Sequence, residues 1–173
     1  MQDILTRAKN IKLVIFDVDG VLTDSSIIIG DDGEEYKAFH SRDGHGMKLL
    51  QYTGVEIAII TGRTSKVVEY RMTSLGVAHL YQGQQVKLPA FEDLIERLNL
   101  KPEQCAYVGD DWVDIAIMKR VGLAVAVNDA DDIVKKYAHW ITPANGGKGA
   151  ARQVCELIMN GQGTLEDQIE RHL

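Results

Sequence analysis

Cysteine is scarce. The 173 residues contain two, Cys105 and Cys155, and neither stands in a C-x-x-C pair. That spacing excludes the usual zinc and redox motifs. Cys105 falls in the apolar run Cys105-Ala106-Tyr107-Val108 and reads as core, while Cys155 falls in a helical pattern. Positive charge is not in excess: the formal net charge is -6, which argues against a sequence-independent nucleic-acid binder, because phosphate backbones need a basic patch. No uninterrupted apolar run reaches the roughly 20 residues needed to span a bilayer, and Met1-Gln2-Asp3-Ile4-Leu5-Thr6-Arg7 does not form an apolar signal segment. A chain without membrane contact, in the reducing cytoplasm, is the expectation. Internal repeats, low-complexity segments and linkers are also missing. The length favours one domain over residues 1–173, and a composition of 45% hydrophobic and 25% charged residues allows a real core.

Short apolar runs alternate with amphipathic stretches. Ile11–Phe16, Val55–Ile60, Cys105–Val108 and Leu123–Val127 are continuous apolar segments, each stopped by polar or glycine residues. Such runs predict parallel strands covered on both faces. Gly46–Tyr52, Ser65–Leu75, Leu88–Leu98, Ile115–Val121 and Ala150–Met159 carry apolar residues at helical spacing. The alternation predicts an α/β fold with a doubly wound parallel sheet. One segment, about residues 24–40, departs from it. Asp31-Asp32-Gly33 separates Ser26–Gly30 from Glu35–Phe39, a hairpin signal placed directly after the first strand. A tail is expected over about residues 161–173.

The polar residues gather where the apolar runs stop. Asp17-Val18-Asp19-Gly20-Val21 follows the first, Thr61-Gly62-Arg63 the second, and Gly109-Asp110-Asp111-Trp112-Val113-Asp114 a later one; Lys87 opens the helix between the last two. Strand ends on one edge of a parallel sheet converge. Clustered carboxylates repel unless a cation joins them, and an all-oxygen site suits Mg²⁺. An ionised aspartate can attack phosphorus, and a second carboxyl can protonate a leaving alcohol and then activate water. Asp17 and Asp19, two apart in an extended pair, fit those roles. The plain alternatives are turn or cap residues for Asp17, Asp19 and Thr61, first-turn helix acids for Asp110, Asp111 and Asp114, and a solvated side chain for Lys87.

D-V-D-G-V-L-T, I-I-T-G-R, a downstream lysine and G-D-D-x-x-D, in this order from Asp17 to Asp114, resemble the four motifs of the haloacid dehalogenase superfamily. The resemblance implies an HAD-like Rossmannoid fold and makes Asp17 the nucleophile and Asp19 the general acid/base. It places the phosphoryl group on Thr61 and Lys87, and Mg²⁺ on Asp17, the Asp19 carbonyl and Asp110, with Asp111 and Asp114 completing an acidic shell. Only the hairpin occupies the place of a cap domain. Ser41–Gly46, Gly83–Lys87 and Gly146–Arg152 further resemble the capless family that acts on 3-deoxy-D-manno-octulosonate (KDO) 8-phosphate. This implies a small sugar-phosphate substrate, a homotetramer whose neighbouring subunit closes each site, and a role in lipopolysaccharide precursor synthesis. Ser25 stands where that family has glycine.

Around this core, Gly62, Arg63, Arg71, His45 and Lys148 are substrate-binding candidates. His45, between two glycines, is read as part of a loop facing the site, and Gly146-Gly147-Lys148-Gly149 as a loop over it or a turn before the last helix. Trp112 and Trp140 read as packing residues. A related nonulosonate 9-phosphate phosphatase is the nearest alternative. A phospho-receiver domain uses similar groups in another order, with its phosphoacceptor at the third strand, and a non-catalytic scaffold would not need the intact motif set.

Overall fold

A computed structural model describes residues 2–173. The chain runs α1 (Gln2–Ala8), β1 (Leu13–Phe16), β2 (Ile28–Ile29), β3 (Glu35–Tyr36), α2 (Ser41–Tyr52), β4 (Glu56–Ile60), α3 (Lys66–Leu75), β5 (His79–Tyr81) and α4 (Leu88–Arg97). It continues through β6 (Cys105–Gly109), α5 (Ile115–Met118), β7 (Leu123–Ala126), α6 (Asp132–Lys135), β8 (Trp140–Ile141), α7 (Ala150–Gln162) and α8 (Leu165–Glu170). Six strands form one sheet in the order β5-β4-β1-β6-β7-β8, and every pairing in it is parallel. The four interior strands β4, β1, β6 and β7 are buried almost throughout, which explains their unbroken apolar runs.

The chain steps outward from β1 to β4 and β5, then crosses back to β6, β7 and β8. Right-handed crossovers therefore put α2 and α3 on one face and α4 to α6 on the other. α7 packs on α2 and α1, and α4 on α5. The reversal of strand order beside β1 opens a crevice at the carboxyl ends of β1, β4 and β6. No cap domain is present among the described residues; β2 and β3 form a separate antiparallel hairpin between β1 and α2.

The structure corrects the reading of His45 as part of a loop before a helix starting at Gly46: α2 begins at Ser41, so His45 sits on the helix. Its flanking glycines serve close packing instead of a turn. A Cβ on Gly44 would collide with the Arg71 guanidinium, and one on Gly46 would come within 2.7 Å of Arg152 Cδ and 3.1 Å of Arg152 Cα. The segment from Gly163 onward contains α8, which follows α7 after a left-handed Gly163. Ser25 adopts φ 65° at the hairpin entry, a conformation that glycine adopts without strain.

Candidate active site

β1 ends at Phe16, and the next residue, Asp17, stands at the crevice. Its backbone N–H still donates to Val108 O at 3.1 Å, so the sheet ladder itself locates the carboxylate. Asp17 Oδ1 accepts the Val18 N–H at 2.7 Å, and Oδ2 lies 2.9 Å from Lys87 Nζ. Lys87 precedes α4, with Pro89 in the first turn, and its side chain is almost wholly buried. Its ammonium bridges Asp17 and Asp114, donating to Asp114 Oδ1 at 2.7 Å.

Asp114 is fully buried and fully engaged. Oδ1 also accepts the Tyr107 hydroxyl at 2.6 Å, and Oδ2 accepts the backbone N–H groups of Asp110 and Asp111 at 2.9 and 3.1 Å. It thus fixes the loop after β6 while orienting Lys87. Asp111 is exposed and caps the short 3₁₀ turn that follows, accepting Trp112 N–H at 2.7 Å. The carboxyls of Asp17, Asp110 and Asp114 offer oxygens that all lie within 4.8 Å of one another. Gly20, at φ 90°, makes this proximity possible, since a Cβ there would overlap the Asp110 carboxylate.

One buried ammonium does not neutralise this cluster. Burial first, and then the Asp114 charge, raise Asp17 to about 7 despite Lys87. Burial, Asp17 and Asp114 raise Asp110 to about 8. Burial alone would lower Lys87, but the two carboxylates outweigh it and hold its pKa above the ordinary value. Asp110 Oδ1 and Thr61 Oγ1 are buried without a hydrogen-bond partner. Unpaired oxygens in an acid-rich pocket fit a hard divalent cation and a bound oxyanion.

Thr61 directly follows β4, its N–H donating to Tyr81 O at 2.9 Å. The Gly62 carbonyl accepts Gln85 Nε2 at 2.7 Å, which latches this turn to the segment before Lys87. Asp17, Asp19, Thr61, Gly62, Arg63, Lys87, Asp110 and Asp111 line one open cleft of about 320 Å³ together with Ser25, Gln85 and Val113, and Asp114 lies buried beneath it.

Other candidates lie elsewhere in the single chain. His45 and Lys148 line a separate hollow with His40, Arg42 and Arg152. Arg71 lies over the Phe39 ring, 5.9 Å from its centroid, beside Gly44. The glycine loop before α7 packs on the first motif: Gly147 N–H donates to Val21 O at 2.9 Å, and Lys148 Nζ lies 3.2 Å from Asp24 Oδ2. Trp112, read as a packing residue near enough to the acidic motif to shape its rim, is 61% exposed beside it.

Sequence reasoning missed Glu35, Lys37 and Tyr107. The alternation in Glu35-Tyr36-Lys37 was an available signal, since residues two apart in a strand share a face. Tyr107 offered none, because a buried tyrosine in an apolar strand reads as core.

Residues 73–154 match the haloacid dehalogenase-like hydrolase family. The 3-deoxy-D-manno-octulosonate 8-phosphate phosphatase of Escherichia coli is 50% identical over 165 residues, spanning 95% of this chain and 88% of that protein. The chain belongs to this phosphatase family. A crystal structure of the family enzyme from Yersinia pestis superposes with a TM-score of 0.94 at 49% identity, covering 95% of this chain and 89% of that one. The family enzyme from Moraxella catarrhalis, solved in complex with magnesium ion, phosphate ion and KDO, superposes with a TM-score of 0.98 at 39% identity, covering 100% of this chain and 99% of that one. Among the described residues, no helix is long and apolar enough to cross a membrane.

Proposed function

We propose that the chain hydrolyses KDO 8-phosphate to KDO and inorganic phosphate, as a cytoplasmic step of lipopolysaccharide precursor synthesis. The observation that supports this most is the convergence of Asp17, Asp19, Thr61, Lys87 and Asp110 on one cleft in a chain half identical to enzymes named for that reaction. Asp17, held by Lys87 and Val18 N–H, attacks phosphorus in line and forms an aspartyl-phosphate while the phosphorus–oxygen bond to the sugar breaks. Asp19 delivers a proton to the departing sugar oxygen. It then takes a proton from water, which attacks the aspartyl-phosphate and returns Asp17 and phosphate. Thr61 Oγ1, Lys87 and backbone N–H groups surround the transferring phosphoryl group. Asp17, the Asp19 carbonyl and Asp110 would hold Mg²⁺, with Asp111 and Asp114 as the outer acidic shell. Bound there, Mg²⁺ supplies positive charge against the carboxylates and the phosphoryl oxygens.

Arg63 and Gly62 meet the substrate at the cleft mouth. Arg71, His45 and Lys148 serve substrate only in an assembly, which in this reading is a homotetramer. The exposed Ile27, Ile28, Ile29 and Tyr36 on the hairpin support an assembly contact, being an apolar surface that a lone chain leaves in water.

Phosphate release from a panel of sugar phosphates, with and without Mg²⁺, tests this reading. Metal-dependent preference for KDO 8-phosphate over a nonulosonate 9-phosphate is expected. Asp17→Asn should abolish turnover, and Asp19→Asn should lower kcat by about 10²–10⁴-fold while sparing Mg²⁺ binding. Retained turnover in Asp17→Asn would remove the nucleophile assignment, and unselective metal-dependent activity would remove the substrate.

A further inference from the structure

Lys37 is a buried cation that the reaction above does not use. It follows β3 on an otherwise exposed hairpin, yet its side chain is only 1% exposed. A lysine is rarely buried unless it is paired, and this one is. Its ammonium donates to Asp19 Oδ1 and lies 2.8 Å from Glu35 Oε1. Glu35 Oε1 has no hydrogen-bond partner, so that second contact is a charge pairing without hydrogen-bond alignment. The directed bond of Lys37 goes to Asp19. Arg63 Nη2 donates to Glu35 Oε2 at 2.6 Å, and Arg63 Nε lies 4.0 Å from Asp19 Oδ2. Asp19, Lys37, Glu35 and Arg63 therefore form a ring of alternating charge across the cleft mouth.

The ring ties the hairpin to the loop after β1. Asp19 stands on the loop after β1, and among the described residues Lys37 is the only donor that its side chain engages by a hydrogen bond. Tyr36, between Glu35 and Lys37, is 54% exposed, so the hairpin presents a charged face inward and an apolar face outward.

We propose that Lys37 is a positioning residue that aims the Asp19 carboxyl at the leaving-group oxygen and makes the hairpin part of the catalytic apparatus. This rests on the reading of Asp19 as the general acid/base. Proton delivery needs a donor–acceptor separation near 2.6–3.2 Å, and a displacement of about 1 Å can cost roughly 10²-fold in rate. A loop aspartate released from its one fixed donor would sample other rotamers.

The test compares a sugar phosphate, whose alkoxide needs a proton to leave, with p-nitrophenyl phosphate, whose phenolate leaves without one. Lys37→Met keeps the length of the stem and removes the ammonium. Asp19 also serves the aspartyl-phosphate hydrolysis common to both substrates, so the comparison is made in kcat/KM, which reports the first step: on the sugar phosphate it should fall about 10–100-fold, and on p-nitrophenyl phosphate much less. Lys37→Arg, which keeps the charge but not the point contact, should lie between the two. An equal fall of kcat/KM on both substrates, or none on the sugar phosphate, overturns the proposal. If Lys37→Met does not fold, Lys37→Arg decides: a lowered ratio of sugar-phosphate to p-nitrophenyl-phosphate activity supports it, and an unchanged ratio overturns it. Asp19→Asn, run in parallel, separates the two readings. Without leaving-group discrimination in Asp19→Asn, the acid/base assignment itself fails. Discrimination in Asp19→Asn but not in Lys37→Met sinks only the role of Lys37.

Discussion

Lys87 is the residue on which the charge balance of the site turns. It is the one ammonium among Asp17, Asp110 and Asp114, and it touches two of them. Removing one partner of a buried pair leaves the other charge uncompensated, at a cost of about 3–5 kcal/mol. Lys87→Met should therefore lower the stability of the metal-free chain by that order in urea unfolding, and Mg²⁺ should restore part of it. A stability unchanged from wild type would show that the carboxylates are neutralised by their own protons. Much of this was legible beforehand, because Asp17, Asp19 and Lys87 each stand where an apolar or amphipathic pattern changes character. Tyr107 and Lys37 were not legible in that way. The Tyr107 hydroxyl finds Asp114 through the turn after β6, and Lys37 finds Asp19 across a hairpin, and neither partnership leaves a spacing in the chain.

At the scale of elements, the site is held by loops pressed together with no room for side chains. A Cβ on Gly146 would overlap the Gly20 carbonyl, and the Gly146 N–H donates to Asp129 Oδ1 at 2.8 Å. The loop before α7 thus braces the loop that carries Asp19. Gly146→Ala must push the two backbones apart, an overpacking cost of about 1–3 kcal/mol. For a chain of this size each kcal/mol lowers Tm by about 2–4 °C, and a scanning-fluorimetry shift of several degrees is expected, with kcat falling as Asp19 loses its support. A neutral substitution would mean that the loop moves aside freely. The strand runs in the sequence located β1, β4, β6 and β7 closely, since fully buried strands carry an unambiguous apolar signature. The start of α2 was misplaced, because Gly44 and Gly46 signal a loop unless the helices packed against them are known.

For the whole molecule, the raised carboxyls tie metal, proton and stability together. Asp17 and Asp110 move from 3.8 to about 7 and about 8 in the folded chain. Both hold protons there over a range in which the unfolded chain has lost them. Their contribution to metal-free stability is thus full below pH about 4 and is lost as pH rises through about 7 to 8. Mg²⁺ held by both groups would need them ionised, so its affinity should rise over the same window. Thermal melts with Mg²⁺ and with chelator should diverge as pH rises from about 5.5 to about 8, the metal-free Tm falling and the Mg²⁺-induced shift growing. A shift independent of pH would place the metal away from these two groups.

The sequence by itself determined the parallel α/β architecture and the candidates for the reacting groups. Burial on both faces demands continuous apolar strands, and phosphoryl chemistry demands carboxylates, a hydroxyl and an ammonium at their ends. Only the tertiary structure decided which of those groups share one cleft. It brought Asp17, Asp110 and Asp114 within reach of one ion, put Lys37 on Asp19, and left Arg71, His45 and Lys148 on other surfaces. The reason is physical: hydrophobic periodicity is a local property of the chain, whereas charge pairing depends on which loops the folded sheet brings side by side.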